Sequence, residues 1–314
     1  MYHSSRMLKV AVQTLIKDNR KYLVDYFFPY FSELEKKLKY KVQLSYFFLE
    51  NDSCDESHKV IERFLKPRSG LLKTSAKGSQ GGGMKKVASA DPSPEAAAKM
   101  YKMATIRTEI NQMIPHDDFD YIFFIDSDIK FETNVFENFI EILKANENIG
   151  QITANGIIRN SVWQGLYYDT WACEFLNGNT PHGHSRSIDT FPKGCVSKMI
   201  KNVYGFMIPL THPCLIKVKA AFGGAAMVRS HLMKEFTYDA GGVFTFCNVG
   251  KVKTRGATCE HKSLCKHIID KGYEIAIDPG SLCTWKREPV PVERKYIIYK
   301  DQLPARPEQI IGKL

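Results

Sequence analysis

The sequence predicts an α/β fold: a Rossmann-like, mostly parallel sheet flanked by helices and followed by a more irregular C-terminal half. Strand and helix patterns alternate from residue 10 to residue 154, as they do where parallel strands are joined by helical crossovers. Within this half, Tyr121–Ile125 is a continuous apolar run rich in aromatic and β-branched side chains. Such a run is typical of a strand covered on both faces.

The elements of the N-terminal half follow from apolar spacing and from turn-forming residues. We predict strands at residues 10–16, 42–49, 121–125 and 149–154, and helices at residues 21–39, 56–65, 94–114 and 134–146. Residues 66–94 carry glycines and scattered lysines without an apolar period, which predicts a long mobile loop.

The C-terminal half is less regular, because Gly, Pro, His and aromatic residues interrupt it. There we predict strands at residues 215–218, 225–228 and 274–277, and a helix at residues 260–271. The chain is therefore expected to form one domain over residues 1–285, with halves at 8–155 and 156–285. Residues 286–314 are expected to form a proline-rich tail.

Composition limits the classes of partner and compartment. The 44 Lys and Arg residues against 34 Asp and Glu give a net charge of +10, which favours anionic partners such as nucleotide phosphates, nucleic acid or an acidic glycan. No apolar run is long enough to span a membrane, and the N-terminus lacks the pattern of a signal peptide. The eight cysteines are dispersed over 314 residues. We therefore expect a soluble, cytoplasmic protein.

Two carboxylates, Asp126 and Asp128, follow the apolar strand directly. In open α/β sheets, ligands bind beyond the carboxyl ends of the strands, so these side chains are expected at a binding crevice. Paired carboxylates suit Mn²⁺ or Mg²⁺, which bind through one or two carboxylates plus substrate phosphates. The alternative is that the two aspartates only cap a helix or face solvent.

Several further motifs accompany this pair in a recognisable order. They are Phe48-Leu49-Glu50-Asn51-Asp52-Ser53, Arg107 on a helix, Ile125-Asp126-Ser127-Asp128, Tyr167-Tyr168-Asp169-Thr170-Trp171, Gly223-Gly224-Ala225-Ala226 and Cys259-Glu260-His261. In this order they resemble the GT-A-fold glycosyltransferases, and especially the fungal capsule-associated α-1,3-mannosyltransferases and their viral relatives. The resemblance spans most of residues 10–285. It departs at Arg107-Thr108, where the family often has Arg-Asn, and residues 66–94 have no counterpart that we can match.

The resemblance implies a metal-dependent glycosyltransferase that moves a sugar from a UDP- or GDP-sugar to a hydroxyl of a glycan or glycoprotein. The resemblance favours retention of the anomeric configuration, and it implies a location in the host cytoplasm if the protein is viral. The implied metal ligands are Asp126, Asp128 and His261. The implied nucleotide-sugar contacts are Glu50, Asn51, Arg107, Asp126 and Gly224, and the implied catalytic residues are Glu260 and Asp169.

Each of these residues also has a simpler interpretation. Arg107 could be a surface residue paired with Glu109 or Asp120, and His261 could be a polar surface residue. Glu260 could serve as a general base or acceptor-binding group, or it could only favour a helix dipole.

The remaining motifs have structural alternatives as well. Glu50 and Asn51 could form a plain turn, and Gly223-Gly224 could be a tight turn between strands. The aromatic residues around Asp169 could belong to the core, although that does not explain the carboxylate among them, because an ionised group is costly to bury.

Two other classes of function remain open at this point. A metal-dependent phosphodiesterase or nucleotidyltransferase would also use paired aspartates, but it would usually need more acidic ligands for a second metal. A nucleic-acid-binding protein would gather its basic residues into a stripe with stacking aromatic residues. Here Lys and Arg are scattered, so nucleic acid is not the expected partner.

Overall fold

The computed structural model describes residues 6–74, 94–131, 134–158, 166–178, 180, 196–200, 203–208, 214–242, 244–248 and 251–285. The strands are β1 Leu8–Ile16, β2 Val42–Glu50, β3 Gly70–Thr74, β4 Tyr121–Ile125, β5 Ile129–Phe131, β6 Ile149–Ile158, β7 Leu166–Tyr167, β8 Val196–Ile200, β9 Val203–Met207, β10 Ile216–Val218, β11 Ala225–Arg229, β12 Phe244–Asn248, β13 Lys251–Arg255 and β14 Glu274–Trp285. The helices are α1 Arg20–Tyr22, α2 Phe28–Leu38, α3 Ser57–Leu65, α4 Pro94–Gln112, α5 Val135–Ala145 and α6 His261–Asp270. A π-helical turn, Leu23–Phe27, joins α1 to α2.

Among the described residues, a ten-stranded sheet forms the centre of the fold. Its main path runs β10-β14-β6-β11-β4-β1-β2-β3, with β5 added to β14 and β7 added to β6. Strand β1 is parallel to both β2 and β4, β3 is parallel to β2, and β14 is parallel to β6. Strand β11 is antiparallel to its neighbours β4 and β6. The predicted α/β architecture with a mostly parallel sheet is confirmed.

Two apolar clusters hold the helices against opposite faces of this sheet. On one face, α2 buries Phe28, Phe31, Leu34 and Leu38 beside α3 and α5. This spacing of three and four residues forms one stripe of the helix. On the other face, α4 and α6 pack through side chains such as Ile110 and Leu264. Helices on both faces leave the carboxyl-terminal edge of the sheet as the accessible crevice.

Several details differ from the sequence prediction, and strands β5, β7, β8, β9, β12 and β13 were not predicted. The segment predicted as one helix at residues 21–39 contains the π-helical turn. The expectation of a loop throughout residues 66–94 is wrong for residues 70–74, which form β3, because pairing with β2 supplies the order that their own pattern lacks. Residues 75–93 lie outside the described residues. The last strand continues from residue 277 to Trp285 past an irregularity in its pairing with β6 between Asp278 and Leu282.

The tail predicted at residues 286–314 also lies outside the described residues. No helix in the part of the chain that the structure describes is long and apolar enough to cross a membrane.

Candidate functional site

The carboxyl ends of β1, β2 and β4 meet at one edge of the sheet. Ile16, the last residue of β1, pairs with Glu50 at the end of β2, and the Asn51 N–H donates to the Ile16 carbonyl at 2.9 Å. Asp126 follows β4 immediately, on the other side of β1. The structure therefore brings the predicted Glu50-Asn51 and Asp126-Ser127-Asp128 motifs to the same edge.

The loops that follow these strands are linked by hydrogen bonds. The Asp18 N–H donates to Ser53 Oγ at 2.9 Å, and the Cys54 N–H donates to Asp18 Oδ1 at 2.8 Å. Asn19 Nδ2 donates to Ser127 Oγ at 2.9 Å, which ties the loop after β1 to the two aspartates. Sequence reasoning recognised Ser127 only as the middle residue of the Asp126-Ser127-Asp128 motif, and it missed Asn19. The only available signal for Asn19 was the turn-forming pair Asp18-Asn19 directly after the first strand.

Glu50 and Asn51 are almost fully buried, at 4% and 8% exposure. The Glu50 carboxylate accepts a hydrogen bond from the Ser53 N–H, so it organises its own turn. This contact matches the simpler interpretation of Glu50. Contact of Glu50 or Asn51 with a nucleotide stays a prediction.

Arg107 links the two halves of the site. It is a buried residue of α4, its Nε donates to Glu260 Oε1 at 2.8 Å, and its Nη2 lies 3.6 Å from Asp126 Oδ1. Burial works against the charge, but Glu260 and Asp126 raise the pKa of Arg107 above its usual value. The guanidinium therefore remains a fixed cation between these two carboxylates.

The alternative partners considered for Arg107 are wrong, because those carboxylates are engaged elsewhere. Glu109 pairs with Lys73 at 3.2 Å, and Asp120 pairs with Arg6 at 3.5 Å. Arg107 is not a surface residue, since its side chain is only 9% exposed.

Among the residues that the structure describes, carboxylates outnumber the cation at this site. Burial raises the pKa of Asp126 to about 7, Arg107 opposes the rise, and Asp128, Asp169 and Glu260 add to it. Burial likewise raises the pKa of Asp169 to about 6, against hydrogen bonds from the backbone N–H groups of Gly223 and Ala172. Such an excess of negative charge is what a divalent cation would compensate.

His261 is the first residue of α6 and is 4% exposed, so its interpretation as a surface residue is wrong. Its ring stacks on Phe222 with centroids 3.9 Å apart. Burial, followed by the charge of Arg107, holds the pKa of His261 well below its usual value, so the imidazole is neutral. Its Nε2 is 3.9 Å from Glu260 Oε1, and among the described residues it has no hydrogen-bond partner. A neutral ring with an unpartnered nitrogen has the chemistry of a metal ligand.

The donor atoms fit a metal only in part. Within the described ranges, no three His, Cys, Asp or Glu side chains come together in a group that could hold a metal ion. Arg107 lies between Asp126 and Glu260 and contacts both. The three predicted ligands, Asp126, Asp128 and His261, therefore do not surround one common point in this structure. Asp126 and Asp128 fit the mode in which Mn²⁺ or Mg²⁺ takes two protein carboxylates and draws its other ligands from phosphates and water.

The two glycines form a tight turn that also approaches Asp126. Gly223 and Gly224 have φ angles of 67° and 83°, in the left-handed region that favours glycine. The Asp126 N–H donates to the Gly224 carbonyl at 3.0 Å, and a Cβ on Gly224 would lie 2.8 Å from Ile129 Cδ1. The tight turn of the simpler interpretation is therefore observed, and it brings backbone close to Asp126. Contact of Gly224 with a nucleotide-sugar stays a prediction.

The Tyr-Tyr-Asp-Thr-Trp motif contributes to the same site. Tyr168 hydroxyl donates to Asp126 Oδ2 at 3.4 Å, and Asp169 Oδ2 accepts from the Gly223 N–H at 3.0 Å. Tyr167 is fully buried in the core, at 1% exposure, as the simpler interpretation expected of the aromatic residues. Of this motif, Tyr168 and Asp169 belong to the site.

Comparison with solved structures finds likenesses at low identity. They include Staphylococcus aureus TarS 1–349 in complex with UDP-GlcNAc, at 11% identity and a TM-score of 0.47, covering 90% of this chain and 60% of that one. The mannosyltransferase PcManGT from Pyrobaculum calidifontis, in complex with GDP-Man and Mn²⁺, matches at 12% identity and a TM-score of 0.42, covering 94% and 61%. GalNAc-T7 with UDP, GalNAc and Mn²⁺ matches at 12% identity and a TM-score of 0.49, covering 90% and 44%.

This chain thus spans less than two thirds of each of those three chains. No protein-family model and no curated protein sequence matches it. With TM-scores below 0.5, these likenesses do not by themselves assign a function to the chain.

Proposed function

We propose that this protein is a metal-dependent glycosyltransferase of the GT-A type, which moves a sugar from a UDP- or GDP-sugar to a hydroxyl of a glycan or glycoprotein. The observation that carries the proposal is the placement of Asp126 and Asp128 at the carboxyl end of β4, inside a group of carboxylates and beside the loops that follow β1 and β2. The net charge of +10 suits a donor that carries two phosphates.

Asp126 and Asp128 are the proposed holders of Mn²⁺ or Mg²⁺. When bound there, the ion would act as a Lewis acid that neutralises the charge developing on the departing diphosphate. His261 is proposed as a further ligand, because its neutral Nε2 is buried without a hydrogen-bond partner among the described residues.

The remaining residues bind and orient the donor in this proposal. Glu50 and Asn51 line the nucleotide side at the end of β2, next to the end of β1. Gly224 is proposed to bring its backbone close to the donor sugar beside Asp126, whose N–H donates to the Gly224 carbonyl. Arg107, held in one orientation by Glu260, directs its positive charge toward the diphosphate side of Asp126.

Asp169 and Glu260 are the proposed catalytic residues, with different tasks. The carboxylate of Asp169 is fixed by the Gly223 N–H, and its pKa of about 6 leaves it able to accept a proton from an acceptor hydroxyl near neutral pH. Glu260 is engaged by Arg107. Glu260 is therefore proposed to act next to the donor sugar and not on the acceptor hydroxyl. Such a role agrees with the retention of anomeric configuration that the resemblance implies.

A thermal-shift experiment tests the metal–nucleotide part of the proposal. UDP or GDP is added with and without Mn²⁺ to the wild type and to Asp128→Ala. Nucleotide is expected to stabilise the wild type only when Mn²⁺ is present, by about 2.7 kcal/mol when the free ligand is at 100 times Kd. Asp128→Ala should lose this stabilisation.

The matched control is Asp117→Ala, which removes an exposed aspartate that pairs with Lys234 at the surface. This variant should respond to Mn²⁺ and nucleotide as the wild type does. Stabilisation without metal, or equal stabilisation in Asp128→Ala, would exclude the proposed site. Release of nucleoside diphosphate from a panel of UDP- and GDP-sugars, followed by identification of the sugar product, separates transfer from hydrolysis.

A further inference from the structure

Tyr22 has a buried hydroxyl that nothing in the described protein satisfies. It lies at the end of α1, where the π-helical turn begins, and it is 7% exposed. Its ring lies against Tyr26, with centroids 5.1 Å apart, but its hydroxyl has no hydrogen-bond partner in the described part of the chain. Buried hydroxyls are nearly always paired, so this one is expected to have a partner outside the described residues, such as an ordered water.

The segment that carries Tyr22 lies along the turn that carries the two aspartates. At one end, Asn19 Nδ2 donates to Ser127 Oγ at 2.9 Å. At the other end, Lys130 Nζ lies 4.2 Å from the centre of the Tyr26 ring. Tyr22 is between these two contacts, and Asp128 is between Ser127 and Lys130. The two segments are thus held together on both sides of Tyr22 and Asp128.

The charge of Asp128 acts on the Tyr22 hydroxyl. Burial, and next the neighbouring Asp128 carboxylate, raise the pKa of Tyr22 above its usual value. A phenol hydroxyl is a hydrogen-bond donor, so the Tyr22 hydroxyl can donate toward the Asp128 carboxylate. The π-helical turn that starts at Leu23 is a further sign, because such turns occur frequently at functional sites.

We propose that Tyr22 is a positioning residue for Asp128: its hydroxyl donates to the Asp128 carboxylate through an ordered water and holds it in the orientation that binds the metal. The proposal rests on the proposed function of Asp128 as a metal ligand. Carboxylates that bind metals are commonly held by such hydrogen bonds, and losing one typically weakens metal binding 10–100-fold.

The test is Tyr22→Phe in the full chain, with binding of Mn²⁺ alone measured from the electron paramagnetic resonance signal of the free ion. Binding is expected to weaken by about 10–100-fold. The melting temperature of the metal-free protein should not fall, because the substitution removes no hydrogen bond to another protein group.

Tyr46→Phe is the matched control. Tyr46 is fully buried, and its hydroxyl donates to Glu35 Oε1 at 2.8 Å. This control should lower the melting temperature and leave Mn²⁺ affinity unchanged. The two tyrosine variants are therefore expected to show opposite patterns, which a general packing effect would not produce.

Asp128→Ala separates the two proposals. If Asp128→Ala binds Mn²⁺ as tightly as the wild type, Asp128 is not a metal ligand, and the proposed role of Tyr22 is refuted together with the proposed metal site. If Asp128→Ala weakens binding but Tyr22→Phe does not, the metal site stands and the role of Tyr22 is refuted. A drop in melting temperature for metal-free Tyr22→Phe equal to that of Tyr46→Phe would also refute it. In the Asp128→Ala background, Tyr22→Phe should have no further effect on Mn²⁺ binding.

Discussion

Replacing Arg107 by methionine is expected to destabilise the protein far more than a surface substitution would. The side chains of Arg107 and Glu260 are only 9% and 6% exposed, and Nε and Oε1 are 2.8 Å apart. The guanidinium also lies 3.6 Å from Asp126 Oδ1 and 5.3 Å from the centre of the Phe222 ring. Methionine preserves much of the apolar contact but leaves the Glu260 carboxylate buried without its cation.

The magnitude follows from the cost of an uncompensated buried charge. Removing one partner of a buried ion pair typically costs about 3–5 kcal/mol. Removing both charges together is much less costly, because no buried ion is then left alone. We therefore expect Arg107→Met to lose about 3–5 kcal/mol of unfolding free energy. Arg107→Met with Glu260→Leu should be less destabilised than the sum of the two single variants by about 1–3 kcal/mol.

The assay is equilibrium urea unfolding of the metal-free protein, with the four members of the cycle measured at one pH. Lys144→Met is the control, since Lys144 pairs with Glu141 on the surface at 3.3 Å and 47% of its side chain is exposed. Its effect should stay within about 0.5 kcal/mol. An Arg107→Met effect as small as this control, or effects that simply add in the double variant, would refute the assignment of a buried ion pair.

Two further predictions concern pH and backbone strain. In metal-free protein, the pKa of Asp126 is raised to about 7. Between about pH 4 and pH 7 the native state therefore binds more protons than the unfolded state. As a result, the free energy of unfolding falls as pH rises through this range. Asp126→Asn cannot titrate, so its free energy of unfolding relative to the wild type should increase between pH 5 and pH 8, on the order of 1 kcal/mol in urea unfolding. A difference between the two proteins that does not change with pH would contradict the raised pKa. Gly224→Ala places a Cβ 2.8 Å from Ile129 Cδ1 at a φ of 83°, so it should cost about 1–3 kcal/mol. Gly256→Ala, where a Cβ meets nothing within 4 Å, should cost less than about 1 kcal/mol, and equal costs would exclude the strained turn.

The local sequence pattern was sufficient to predict a helix or strand wherever that element has its own apolar period or apolar run. The helix predicted at residues 134–146 is observed as Val135–Ala145, and the apolar run Tyr121–Ile125 is a strand with every side chain buried. Each has a period or a continuous run that only one secondary structure can bury. Strand β3 lacks such a signal, because Leu71 is half exposed and the segment has no clear alternation. Its order comes from parallel pairing with β2, which lies 24 residues earlier in the chain in the register Tyr46 to Gly70.

The same distinction explains which parts of the site were predictable. Asp126 and Asp128 are placed by the strand that precedes them, so the rule for carboxyl ends of strands locates both from local sequence. The partner of Arg107 could not be found in this way, because Glu260 is 153 residues away and nearer carboxylates such as Glu109 look equally suitable. Two features of the fold bring Glu260 to Arg107: α4 and α6 pack on one face of the sheet, and Glu260 immediately precedes α6. The raised pKa of Asp126 and the neutral state of His261 both depend on this arrangement, so the electrostatics of the site follow from tertiary structure and not from any single motif.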